Sequence, residues 1–474
     1  MFFDTPIYIV FLALVVAVYW RLGFRPQNTV LLLASYVFYG WWDWRFLALM
    51  IASTTADFLI ARKLSPATAH PYRRHLLIIS VVGNFAVLGF FKYFDFFIDS
   101  AATALQAFGV ENPPMTLLRI LLPPGISFYT FQEIAYIVDV YDGKLEPAHD
   151  FVDYGLFISL FPHLIAGPIQ RPSHLLPQVQ TPRTFRPDAF YDGLMLIISG
   201  LFRKCVIADN CALIANAAFD GRLGEPSLPV VLLGMYAFAW QIYGDFSGYS
   251  DIARGSAQLL GFHFMVNFRQ PYLAQNLQDF WRRWHISLST WLRDYLYIRL
   301  GGNAHGERKT YRNLLLTMML GGLWHGANWT FVVWGTIHGL WLALERALRT
   351  MLGMTRDSER TGAVNIWVKR IGLFHLVALC WIFFRAPSLR EAVSFLTGVA
   401  NWGGWQPDLL IALQFLVLFS LPLFLIDLYL EHTGEEYVLA TRAPALRAAV
   451  GVALFIVIAL ASSNNLNAFI YFQF

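Results

Sequence analysis

Charge is what this sequence has least of. Only 14% of its 474 residues are Asp, Glu, Lys or Arg, against 57% hydrophobic, where soluble domains run near a quarter charged. That shortage excludes an ordinary water-soluble fold. The formal net charge of +4 is accounted for by a few basic loops and gives no reason to expect nucleic acid. Cysteine is scarce as well: Cys205, Cys211 and Cys380 form no CxxC pair and no disulfide framework, and read as small buried apolar residues. No two of the twelve histidines form an i,i+4 pair with a carboxylate nearby, so no metal site is expected. The first apolar run lacks the flank of a signal peptide. "MFFDTP" carries Asp4 and no Lys or Arg, and no small-residue cleavage site follows. Long linkers, low-complexity tracts and clear internal repeats are missing too, which favours one integrated domain over residues 1–474.

What is present is lipid-compatible sequence. A bilayer core of about 30 Å takes roughly 20 apolar residues per helix. Runs of this kind cover 5–20, 27–42, 45–61, 76–98, 116–140, 190–208, 228–243, 313–332, 334–349, 366–384, 409–430 and 446–462. They predict an all-α polytopic membrane protein with roughly 11 spanning helices and no soluble domain. Two shorter apolar pieces, 151–166 and 255–268, contain Pro, Gly or charge and read as re-entrant or interfacial. Uninterrupted runs do not fit the ten-residue alternation of a membrane barrel. Positive charge follows the first span at Arg21 and Arg25 and returns at Arg62, Lys63, Arg73 and Arg74. Cytoplasmic placement of those loops puts the N-terminus outside.

Three segments break the pattern. "FPHLIAGPIQRPSHLLPQ" (161–178) holds four prolines, each removing a backbone donor. It is either a re-entrant turn lining a cavity or an interfacial loop. "WQIYGDFSGYSDIARG" (240–255) sets Gln241, Asp245 and Tyr249 at i, i+4 and i+8, one helical face. That face either lines an interior cavity or, with Asp251, marks a helix end in water. Ser247 lacks the G-x-S-x-G elbow of a hydrolase nucleophile. "DFWRRWHISLSTWLRDYLYIRLGGN" (279–303) alternates arginines and aromatic rings too closely for a span, and predicts a helix lying in the interface. The basic loop that follows, "GGNAHGERKTYRN", places His285 on the cytoplasmic side.

His325 is the residue hardest to account for by structure alone. It lies twelve residues beyond Asn313 in "LLLTMMLGGLWHGANWTFVVWG", about 18 Å along a helix at 1.5 Å per residue. An ionisable group at that depth marks a relay or a pathway more often than a structural contact. Imidazole takes and returns a proton near neutral pH. Gly321, Gly322, Gly326 and Ala327 around it either bring helices close or leave room for a substrate. His338, thirteen residues on, is expected on another face and is read as structural.

These motifs, with "PPGISFYTFQEIAYIVDVY" (123–141), "LFPHLIAGPIQRP" (160–172) and the final "FIYFQF", strongly resemble the membrane-bound O-acyltransferases. The match is closest in the bacterial alginate O-acetyltransferase branch and runs in order along essentially the whole chain. The resemblance implies a ring of transmembrane helices around a central tunnel, with re-entrant helices on the cytoplasmic side. It also implies a multi-pass protein of the bacterial cytoplasmic (inner) membrane, and catalytic roles for His325 and His285. His325 would be general base on a hydroxyl and His285 would polarise or orient the acyl carbonyl. From proximity in sequence, Trp324 and Asn328 are expected to line the tunnel and Asp294, with the nearby arginines, to position its helix. Acetyl coenzyme A would be the donor substrate, with no bound cofactor. An extracytoplasmic SGNH-type acetyltransferase partner would deliver acetyl groups to an exopolysaccharide such as alginate. Rival expectations are D-alanyl or other acyl transfer from a carrier protein to a cell-wall polymer, a transporter or flippase without chemistry, and a secretion scaffold.

Overall fold

The computed structural model describes residues 1–68, 70–110, 118–165, 167–353, 362–462 and 469–470, and all its regular structure is helical. The described residues form two compact units, the first made of residues 1–197 and 252–265, the second of 198–251 and 266–474. Two helices, α9 (Pro187–Leu201) and α11 (Leu228–Leu259), run from one unit into the other.

The first unit opens with α1 (Pro6–Tyr19), α2 (Phe24–Gly40), α3 (Trp44–Leu64) and α4 (Arg73–Ala107). Polar caps start α1 and α3: Thr5 Oγ1 accepts from Tyr8 N and Asp43 Oδ1 from Arg45 N, satisfying end donors the helix cannot. At the centre lies α5 (Ile126–Tyr141), buried at every position except Val138 and Tyr141, although it carries Gln132, Glu133 and Asp139 among its apolar side chains. Its start corrects the expected span 116–140. Residues 116–117 lie outside the described residues, and α5 begins only after Pro123, Pro124 and Gly125. Gly125 has φ +74° and a Cβ there would meet Leu164 O at 2.5 Å, so only glycine allows both the turn and the approach. The short helices α6 (Phe151–Ser159), α7 (Phe161–Leu164) and α8 (Pro172–Gln180) follow. The described residues of 161–172 are buried, so their irregular backbone is enclosed by protein. His163 bridges Gln132 Nε2 (3.3 Å) and Phe157 O (3.1 Å). Two buried acids are met by polar side chains. Asp57 accepts from Ser80 and Asn84, and Glu133 from Ser53 and Thr54.

In the second unit the chain leaves α9 through a π-helical turn, Phe202–Ala208, into α10 (Asp209–Phe219). Residues 279–303 differ from the single interface helix expected. They form α12 (Leu277–Arg283), a break at Trp284–His285, α13 (Ile286–Trp291) and a second π-helical turn, Leu292–Tyr297. The expected span 313–332 is divided too. α14 (Glu307–His325) ends on the histidine, Gly326 is extended, and α15 (Trp329–Met351) restarts behind Asn328, whose Oδ1 accepts from Thr330 N at 3.0 Å. The two helices fold back as a hairpin. A Cβ on Gly322 would lie 2.2 Å from Phe331 O, and one on Gly335 2.2 Å from Met318 O, so the glycines are what let the backbones touch. The unit closes with α16 (Ala363–Arg385), α17 (Leu389–Thr397), α18 (Pro407–Thr433) and α19 (Pro444–Ala461).

Among the described residues five helices, α3, α4, α16, α18 and α19, are long and apolar enough to cross a membrane. The protein is therefore a multi-pass, all-helical membrane protein. α14 falls outside that set because it opens on the charged "ERKTYR".

Candidate active site

The helix break that ends α14 creates the site. His325 is the last residue of that helix and is 4% exposed, held among rings. Trp324 lies 5.0 Å away between centroids, Trp334 of α15 5.3 Å and Phe384 of α16 5.3 Å. His285 stands 6.2 Å from it. That separation is too wide for a direct N–H···N hydrogen bond between the rings and suits one oxygen atom bonded to both.

His285 is fully buried and left-handed, φ +42°, ψ +55°, a conformation that costs about 1 kcal/mol or more for a non-glycine residue. Asn267 holds the strained turn. Its carbonyl accepts from Ile286 N at 2.9 Å, its Oδ1 from Ser287 Oγ at 2.9 Å, and its Nδ2 donates to Ser250 Oγ at 3.1 Å. Phe246 presents an edge to the His285 ring at 4.6 Å, 77°.

A cavity of about 880 Å³ leads to His325. Apolar side chains line its wall, among them Leu292, Met318 and Trp334, with Gly321 leaving space, while Arg282, Arg293, Arg346 and Arg349 give it positive charge. Arg346 is gripped by Glu307 through two bonds of 2.7 and 2.8 Å. Arg293 pairs with Asp294 at 2.7 Å. The paired glycines thus divide their duties: Gly322 packs the hairpin and Gly321 borders the cavity. His285 is not among the residues that line it.

The residues singled out from sequence separate into groups. His325, His285 and Trp324 come together, His285 and Trp324 with ring centroids 5.9 Å apart. Asn328 caps α15 and donates to Pro387 O at 2.8 Å. Asp294 serves Arg293. Gln241, Asp245 and Tyr249 are all buried, so their common face turns inward and does not mark a helix end in water. Asp245 pairs with Lys204 at 2.9 Å and accepts from Ile470 N at 2.7 Å. His338 is not on a remote face, because the turn at 326–328 resets the helical phase: Trp334 contacts both histidines, at 5.3 and 4.8 Å. Sequence reasoning missed Trp334, Phe384 and Asn267. Trp334 carried a signal, lying in the aromatic-rich stretch after His325; Asn267, in an extended loop, carried none. Among the described residues no cluster of three His, Cys, Asp or Glu could hold a metal.

The family model of the membrane-bound O-acyltransferases matches residues 145–384. A probable alginate O-acetylase, AlgI, of Pseudomonas putida is 44% identical over 409 residues, covering 86% of this chain and 81% of that protein. A peptidoglycan O-acetyltransferase of Helicobacter pylori is 36% identical, covering 85% and 80%. A teichoic acid D-alanyltransferase of Streptococcus thermophilus is 30% identical over 58% of this chain and 70% of its own.

Proposed function

Because the chain belongs to the membrane-bound O-acyltransferase family, we propose that His325 is the general base of its acyl transfer and that the cavity below it takes acetyl coenzyme A. The observation that carries the reading is one buried imidazole in the lining of an arginine-bearing cavity. The acyl donor's phosphates would meet Arg282, Arg293, Arg346 and Arg349, guanidinium being the natural partner of phosphate. The pantetheine arm would run along the apolar wall toward His325.

In the proposed reaction His325 takes the proton of an acceptor hydroxyl as that oxygen attacks the thioester carbonyl. The tetrahedral intermediate expels the thiolate, which receives the proton from His325, so no proton is gained or lost overall. General base catalysis of this kind contributes roughly 10²–10⁴-fold. His285, off the cavity wall, would hold the carbonyl oxygen from the far side, stabilising charge as it develops.

We further read the chain as one integral-membrane domain, since the family match crosses both compact units. Roughly 11 spans around a central tunnel fit the apolar runs. Basic loops on the cytoplasmic side of a bacterial inner membrane leave the N-terminus outside. An acetyl group would then pass outward to a partner of SGNH type and on to an exopolysaccharide, an alginate-like one by analogy with the relatives named as probable alginate O-acetylases. Transfer of D-alanine from a carrier protein is the second reading, favoured by the teichoic acid relatives. The test is coenzyme A release by the purified protein with acetyl coenzyme A, against an aminoacyl carrier protein as alternative donor. Thiol release from acetyl coenzyme A that is lost in His325→Ala supports the reading. Activity with the carrier protein alone replaces the donor, and equal rates in wild type and variant remove His325 from the mechanism.

A further inference from the structure

The buried ion cluster on the inward face of α11 has no part in the chemistry proposed above, yet it is costly to build. Lys204, delivered by the first π-helical turn, is 1% exposed and lies between two carboxylates, Asp209 Oδ1 at 2.8 Å and Asp245 Oδ1 at 2.9 Å. Taking charges out of water is expensive even when they are paired. Two carboxylates thus share one buried ammonium. Asp245 directs its other oxygen at a backbone donor from far along the chain, Ile470 N, at 2.7 Å. Such charge-assisted bonds are roughly twice as strong as neutral ones.

The neighbouring side chains continue the contact. Phe469 is fully buried, lies over Tyr249 at 4.3 Å and meets Phe246 at 5.7 Å. Phe246 in turn is the ring whose edge abuts His285 at 4.6 Å. An unbroken series of contacts therefore runs from Lys204 through Asp245 and the 469–470 segment to an imidazole already held in a strained backbone.

We propose that the Lys204–Asp245 pair is a seat for the C-terminal segment at Phe469–Ile470, and that the seated Phe469 positions His285 through Phe246. Asp245, Phe469 and Phe246 are positioning residues. The catalytic consequence rests on the reading of His285 given above; the seat itself does not.

The experiment uses the full-length protein, a chain stopped after Ala468, and the variants Phe469→Ala, Phe469→Tyr and Asp245→Asn. A fluorescein-labelled peptide of residues 463–474 is titrated onto the stopped chain in detergent. Saturable binding is expected, weakened at least tenfold when Asp245→Asn is added. Acetyl coenzyme A turnover is then measured. Stopping the chain, or Phe469→Ala, is expected to lower kcat about tenfold or more with the donor KM little changed. Phe469→Tyr, which keeps the ring, and the peptide added to the stopped chain are expected to recover kcat. A merely structural role would lower the melting temperature and active fraction without this rescue. Peptide that does not bind, or a stopped chain with full-length kcat, overturns the proposal. If His325→Ala retains full turnover the catalytic reading falls instead, and peptide binding still decides the seat.

Discussion

Gly322→Ala is a one-carbon change whose effect depends wholly on the α14–α15 hairpin. In an open helix the substitution stabilises by up to about 1 kcal/mol, because alanine is the better helix former. Gly89 on α4 is such a position, with nothing within 4 Å of the point a Cβ would occupy. At Gly322 the same Cβ would sit 2.2 Å from Phe331 O and 3.1 Å from Gly335 Cα. An ordinary contact is near 3.4 Å or more, so the helices must part by about 1 Å. Overpacking of this order costs roughly 1–3 kcal/mol and outweighs the propensity gain. His325 lies three residues further along the same helix, so the displacement reaches the site, where about 1 Å of misplacement can cost 10²-fold in rate. The assay is a thermal melt in detergent with an initial-rate measurement on the same preparations. Gly89→Ala should melt at or above wild type with full activity. Gly322→Ala should melt several degrees lower and lose activity beyond its loss of folded fraction. Equal melting temperatures and rates for the two variants would refute the packing argument.

Other outcomes follow from the same geometry. Asn328→Ala removes a helix cap worth about 1 kcal/mol, and should lower the melting temperature while leaving donor KM unchanged; a large KM change would return Asn328 to the substrate path. Arg293→Gln and Arg282→Gln should each raise KM for acetyl coenzyme A about fivefold, the ~1 kcal/mol of an exposed charge contact, with less effect at high salt. In the loop after α18, hydrogen bonds from Thr441 and then Tyr429 hold the Glu435 carboxyl below its usual range. Its contribution to stability is present above the unfolded carboxylate pKa and lost as pH falls through the folded one. Glu435→Gln should therefore lower stability slightly at neutral pH, leave stability in acid nearly unchanged, and so flatten the acid limb of a stability–pH curve.

Much of this was legible beforehand because apolar runs and caps act locally. The runs 190–208 and 366–384 became α9 with its π-helical turn and α16 almost residue for residue. That Gln241, Asp245 and Tyr249 share one helical face followed from their spacing, while the choice between an interior face and a helix end in water was made only by their burial. Failures came where one or two residues interrupt a periodic pattern. Gly326 and Asn328 turn an apolar run into a hairpin, which placed His325 at a helix end and brought His338 next to Trp334. Trp284–His285 likewise breaks the interface segment. Long-range partners were invisible. No local signal joins Asp245 to Ile470, 225 positions away, and only folding assigns Asp245 to an ion cluster instead of a cavity wall. Residues 471–474 of the terminal motif lie outside the described residues.

The most direct test of the central claim is made in liposomes holding the full-length protein, with radiolabelled acetyl coenzyme A confined to the side of the basic loops. Label reaching a hydroxyl acceptor on the opposite side, together with thiol release on the donor side, and both falling at least about 10²-fold in a folded His325→Ala variant, is the predicted result. Undiminished transfer by that variant would contradict it.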